Sequence, residues 1–151
     1  EASMSAYELA AQTNYIPAMR KYIIELYRNN LNKQAFDWHL KAANLGDLGS
    51  IAVVARVYAG YGKAYKSVGV NLIEAKKYYD LYLETVGRDT SEKLYIELAE
   101  EQSLLVERMS QDELQTARMG TNKMLSHLSD KFVGDTYWTE NPYFYNYLLS
   151  Q

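Results

Sequence analysis

The sequence has no cysteine, only 2 prolines and 8 glycines, and only 2 histidines in 151 residues. Without cysteine there are no disulfides and no thiolate metal sites, although an exported chain can also lack the residue, so the compartment stays open. Few glycines and prolines leave little room for long loops. The longest purely aliphatic run, Ile51-Ala52-Val53-Val54-Ala55, falls far short of the roughly 20 apolar residues that span a bilayer. An excess of positive charge is also missing. The net charge is -3 and the pI about 5.4, so the electrostatic footprint of a nucleic-acid binder is absent. The chain opens at Glu1 without a methionine or a visible signal peptide, as expected of a processed mature form or a trimmed one.

What is present is a folded composition, 48% hydrophobic and 13% aromatic, with 15 tyrosines. Internal similarity comes first, because it decides the fold class. Glu8-Leu9-Ala10-Ala11-Gln12-Thr13-Asn14 aligns with Leu40-Lys41-Ala42-Ala43-Asn44-Leu45-Gly46. At the same offset Ala18 meets Ser50, Ile23 meets Ala55 and Leu26 meets Tyr58. The second copy then carries extra residues around Gly60 to Gly69, after which Ala35 meets Ala75, Trp38 meets Tyr78 and His39 meets Tyr79. Two units share one plan of helix, loop, helix and a closing Gly46 or Gly87.

Periodicity supports helices. Ile16, Ile23, Ile24 and Tyr27 recur at steps of three, four and seven, as do Phe36, Leu40 and Ala43 and the set Tyr78, Tyr79, Tyr82 and Val86. Asn71 suits an N-cap. Asp89-Thr90-Ser91-Glu92 and Ser110-Gln111-Asp112-Glu113 read as capping boxes, the second flanked by Met109 and Leu114 as a staple. Helices are predicted near 3–13, 17–30, 33–45, 48–61, 72–86, 91–109 and 111–132, with Asn141-Pro142 opening a short last one. No segment shows sustained strand alternation.

These residues resemble a bacterial Sel1-like repeat, a cousin of the tetratricopeptide repeat. The second unit supplies Val54-Ala55, Tyr58, Gly60, Gly69-Val70, Glu74-Ala75, Tyr78-Tyr79 and Gly87. The first supplies Leu26-Tyr27, Gln34-Ala35, Trp38, Lys41-Ala42-Ala43 and Gly46. The first unit lacks the loop glycines and turns tightly at Asn29-Asn30-Leu31-Asn32, and the second holds an insertion with Lys63, Tyr65 and Lys66. The resemblance implies an all-α fold, a short α-solenoid of antiparallel helix pairs with a C-terminal capping helix and an aromatic-rich tail. Residues 1–132 then form the repeat domain, divided into a partial repeat 1–14, repeats 15–46 and 47–87, and a third pair with its cap over 88–132. Residues 133–151 form the tail, packed on or near the repeats. Tyr27, Trp38, Ala42, Ala55, Tyr58, Ala75 and Tyr78 are expected in the repeat core, with small residues letting helices approach and rings filling the layers.

Candidate chemistry is sparse. Neither His39 nor His127 has a His or Cys near it in sequence, so no metal and no cofactor is expected. His39 reads as structural or exposed. An Asp130 one turn from His127 without a nucleophile reads as a surface pair before an acid–base pair. Glu97, Glu100, Glu101 and Glu107 share a helix, and a solvated face is the preferred reading over a hydrolase site. Gly60-Tyr61-Gly62 lacks what a phosphate loop requires. Arg20, Lys21, Arg28, Lys33 and Lys41 bias the N-terminal half positive, which suits steering of a charged protein partner.

Tyrosine and tryptophan are enriched at binding hot spots. Tyr61 and Tyr65 of the inserted loop, and Tyr137, Trp138, Tyr143 and Tyr145 of the tail, are therefore the candidate partner-binding residues. Three roles are open to the tail: covering the last helix pair, filling a groove, or gripping the partner. The expected function is binding of another protein, with no catalysis and no nucleic acid. The resemblance implies a bacterial envelope or secretion-linked adaptor, which leans the compartment towards the periplasm or export. Its alternative form is an immunity protein that neutralises a toxic effector, and a hydrolase is the distant competitor. The oligomeric state is not legible.

Overall fold

A computed structural model describes residues 4–85 and 91–141. The expected closing Gly87 and the last predicted helix from Pro142 lie outside the described residues. So do the candidate binding residues Tyr143 and Tyr145. Among the described residues the chain is all-helical: α1 Met4–Ala11, α2 Ile16–Arg28, α3 Asn32–Ala43, α4 Leu48–Ala59, α5 Leu72–Leu83, α6 Glu92–Val106, α7 Gln111–Leu128 and the short α8 Thr136–Thr139. A single turn of 3-10 helix, Lys63–Tyr65, stands in the inserted loop. None of these helices is long and apolar enough to cross a membrane.

Helix ends follow from local chemistry. α2, α3 and α4 close on residues with left-handed backbone: Asn30 at φ 60°, Gly46 at φ 104° and Gly60 at φ 103°. In each case the next amide reaches back five residues, Leu31 to Leu26, Asp47 to Ala42 and Tyr61 to Arg56, as a Schellman closure requires. Asn14 is left-handed as well, at φ 62°, so the aligned pair Asn14 and Gly46 share a conformation. Asn71 caps α5 by accepting from the Glu74 amide at 3.1 Å. At α6 the cap is Ser91, which accepts from the Leu94 amide at 3.3 Å. With Leu94 in the third position no carboxyl reaches back, and Glu92 sits inside the first turn. Asp89 and Thr90 lie outside the described residues.

The box at α7 is complete. Ser110 Oγ accepts from the Glu113 amide at 3.1 Å, and Glu113 Oε1 accepts from the Ser110 amide at 2.8 Å. Ser110→Ala should therefore cost about 1 kcal/mol, read as a lower urea midpoint at constant slope.

Each helix from α1 to α5 packs on the next, and both α6 and α7 lie on α5. α6 and α7 thus pack on α5 more than on each other. α7 buries only Ala117, Thr121 and Leu128 in full, so its other faces meet solvent. α4 is central. Its aliphatic run is apolar all round, and packing by α3, α5, α6 and α8 buries every residue from Leu48 to Ala55. Each such Ile, Val or Leu contributes roughly 1.5–3 kcal/mol relative to exposure. Of the expected core residues, Tyr27, Trp38, Ala42, Ala55, Ala75 and Tyr78 are buried, and Tyr58 is half-buried. Tyr58 meets Phe36 edge-on at 5.4 Å and stacks on Tyr78 at 6.5 Å.

Candidate functional site

Two constructions stand out, one buried and one open. The buried one begins at Asp47, which follows the left-handed Gly46 and precedes α4. An Asp there ordinarily caps its helix, but this carboxylate makes no cap hydrogen bond. It accepts instead from Arg20 Nη2 at 2.6 Å, Ser50 Oγ at 2.8 Å and Trp138 Nε1 at 2.7 Å. Ser50 gives its one proton to Asp47, so its oxygen accepts from His39 Nδ1 at 2.9 Å. That assigns the proton of neutral His39 to Nδ1 and leaves Nε2 a bare lone pair, buried and without a partner.

The segment after α7 closes over this hub. Val133 forms a parallel bridge with Asp47, its amide donating to Gly46 O at 2.9 Å and its carbonyl accepting from the Leu48 amide at 3.0 Å. Arg20 Nη2 also donates to Gly134 O at 3.1 Å. Trp138 is fully buried over Gly49, where a Cβ would stand 2.1 Å from the indole Cδ1. Asp135 fastens the other side, accepting from Tyr82 Oη at 2.6 Å and from the Ser91 amide at 3.0 Å.

Burial lowers the His39 pKa to about 3, because an imidazolium would lose its water and present an N–H with no acceptor. The folded value lies below the unfolded one, so the unfolded chain binds the extra proton between them. The stabilising contribution is complete above about pH 6.5 and declines as pH falls towards 3. The slope from this one group is about 1.4 kcal/mol per pH unit. His39→Gln should remove that slope, so the gap between its own stability and the parent's should change with pH across that window, measured by urea unfolding across pH. Parallel profiles would remove the assignment. With all four polar groups buried, the cluster holds the tail segment and offers no route for a substrate.

The open construction is the inserted loop between α4 and α5. A cleft of about 360 Å³ lies between Val57 and Val70, walled by Tyr61 and Tyr65 and edged by Lys63 and Lys66. Tyr65 points inward. Its hydroxyl pairs with that of Tyr27, and its ring meets Tyr27 edge-on at 6.0 Å and Phe36 at 6.3 Å. Gly62, at φ 84°, makes room for that ring, since a Cβ there would stand 2.8 Å from Tyr65 Cδ2. Tyr61 stays half-exposed, with the Arg56 guanidinium 5.1 Å from its ring centre. Arg56 in turn holds Glu101 at 3.0 Å, and Glu101 accepts from Tyr79 Oη at 2.8 Å. Burial pushes the Glu101 carboxyl above its usual range, and Arg56 pulls it back.

The candidate binding residues therefore divide. Tyr61 and Tyr137 reach the surface, Tyr137 at 39% exposure. Tyr65 and Trp138 are buried, so neither offers a face to a partner. Tyr61 and Tyr137 do not share a patch. Tyr137 adjoins Trp138 at the Gly49 end of α4 and lines a separate cleft with Tyr7, Lys21 and Arg28, whereas Tyr61 follows the other end. Arg20 leaves the expected basic surface for the interior. Glu101 leaves the expected solvated acidic face, because the helix turns it towards α4 while Glu100 points to water. His127 and Asp130 are both exposed, and no ion pair joins them. Among the described residues no group of three or more His, Cys, Asp or Glu could hold a metal. Sequence reasoning missed Asp47 and Gly49, for which the only local signal was an Asp preceding an apolar helix. Comparison with family models, with curated proteins and with solved structures returns no match to this chain.

Proposed function

We propose that the chain is a protein-binding module of the Sel1-like, tetratricopeptide-like kind, and that its partner docks on the inserted loop between α4 and α5. On this reading α1 to α5 form a short α-solenoid of antiparallel pairs, α7 caps it, and the segment from Val133 ties it shut. The observation that carries the reading is the loop itself. It is the point where the second unit departs from the first, and it is held open by buried Tyr65. It presents Tyr61 between two exposed aliphatic residues, Val70 at 57% and Leu104 at 60% exposure. Exposed apolar groups around a fixed ring and rimmed by charge are what interfaces use. A bacterial envelope or secretion-linked adaptor is the form that the repeat resemblance implies.

A photo-reactive residue at position 61 should cross-link a discrete protein species in the native cell. The same probe at Met119, more exposed than Tyr61 but on α7, should not. No protein adduct at position 61 would overturn the proposal.

A further inference from the structure

We infer that the inserted-loop cleft takes an acidic, aliphatic peptide segment of a protein partner, an inference that rests on the binding role proposed above. The charge lining the cleft is of one sign. Lys63 and Lys66 are its only ionised groups, both exposed, and neither forms an ion pair with a described residue. The 3-10 turn Lys63–Tyr65, continued by helical backbone at Lys66, brings positions three apart onto one side. Two ammonium groups there repel each other, and a carboxylate between them removes the repulsion. Glu101, which lines the adjoining cleft with Tyr61, is already held by Arg56 and Tyr79 and cannot serve. Between the lysines and Tyr61, Val57 and Val70 supply aliphatic contact, so the matching segment alternates carboxylate with branched aliphatic side chains.

Preorganisation supports the same occupant. The Schellman closure at Gly60, the Asn71 amide bonded to Tyr58 O at 2.8 Å and the anchored Tyr65 fix the loop before anything binds, which lowers the ordering cost. The cleft beside Tyr137 lacks this character, because Glu25 lines it together with Lys21 and Arg28 and pairs with Arg28 at 2.6 Å, so its charge is of both signs.

The test uses the intact chain and two labelled peptides, one alternating Glu with Leu and one alternating Gln with Leu, followed by fluorescence anisotropy at low salt. The Glu peptide should bind about tenfold tighter than the Gln peptide, and its binding should weaken as salt rises. Lys63→Glu with Lys66→Glu should lose about tenfold or more. Lys93→Glu with Lys123→Glu, exposed positions giving the same change of net charge, should lose little. The milder pair Lys63→Gln with Lys66→Gln guards against a folding defect, and the melting curve of each variant should match the parent. Equal binding of the two peptides overturns the inference. So does equal loss in the two reversed pairs, and so does displacement by inorganic phosphate at the peptide's own concentration, which marks a small-anion site. Cross-linking at position 61 without Glu-peptide binding removes this inference and leaves the binding role standing.

Discussion

Asp47→Ala should destabilise the fold by about 3–5 kcal/mol, the range for removing one partner of a buried ion pair. For a chain of this size that is roughly 6–20 °C in melting midpoint. The magnitude follows from what is stranded. Arg20, 8% exposed, loses its counter-charge. Ser50 and Trp138 lose their acceptor, and each buried donor left unpaired adds its own desolvation cost. Arg20→Ala should also destabilise, but the double variant should cost clearly less than the sum, since the second substitution removes the charge that the first left bare. Thermal melts of the four proteins give the cycle. A midpoint change under about 2 °C for Asp47→Ala would mean that water reaches the site and that the hub contributes little.

The second large effect belongs to Trp138. Trp138→Ala should cost about 3–5 kcal/mol, the range for emptying a large aromatic from a core. Trp138→Phe keeps most of the ring contact and loses only the donor to Asp47, at about 1–3 kcal/mol. Gly49→Ala approaches from the other side. Its methyl must displace the indole, because the clash at 2.1 Å is with a ring atom beside its Cβ and not with the end of a flexible chain. If both act by releasing one segment, Gly49→Ala should add little in the Trp138→Ala background. Trp38 is the only other tryptophan, so a Trp38→Phe background isolates the reporter. There Gly49→Ala should shift Trp138 emission to the red as the indole meets water. Unshifted emission would show that α4 moves and the indole stays.

Much of the helical frame was legible because its signals are local. Ile16, Ile23 and Ile24 mark one face of α2, Gly46 ends α3, and the Ser110 box starts α7, each within a turn or two of chain. What escaped is set by distance. Trp138 and Asp47 are 91 positions apart, and nothing near either residue announces the other. Trp138 and Tyr137 are adjacent aromatics of similar appearance in sequence, yet one is buried and the other at the surface, because composition carries no burial information for a single pair. The Lys63–Tyr65 turn is too short to show a period. The inserted loop drew notice through Tyr61 and Tyr65. Only the fold showed that Tyr65 supports the loop from within and leaves Tyr61 to face outward.

The bond from Arg20 to Gly134 spans 114 positions of chain. A stack of helices with neighbour contacts alone can assemble layer by layer as it is synthesised and can fray from either end. Here Arg20, His39 and Asp47 leave the ribosome long before Trp138, so their interior is sealed only when the last layer arrives. Closing so large a loop slows folding and joins α2, α3 and α4 to the segment from Val133 in one cooperative unit, which should melt in a single transition.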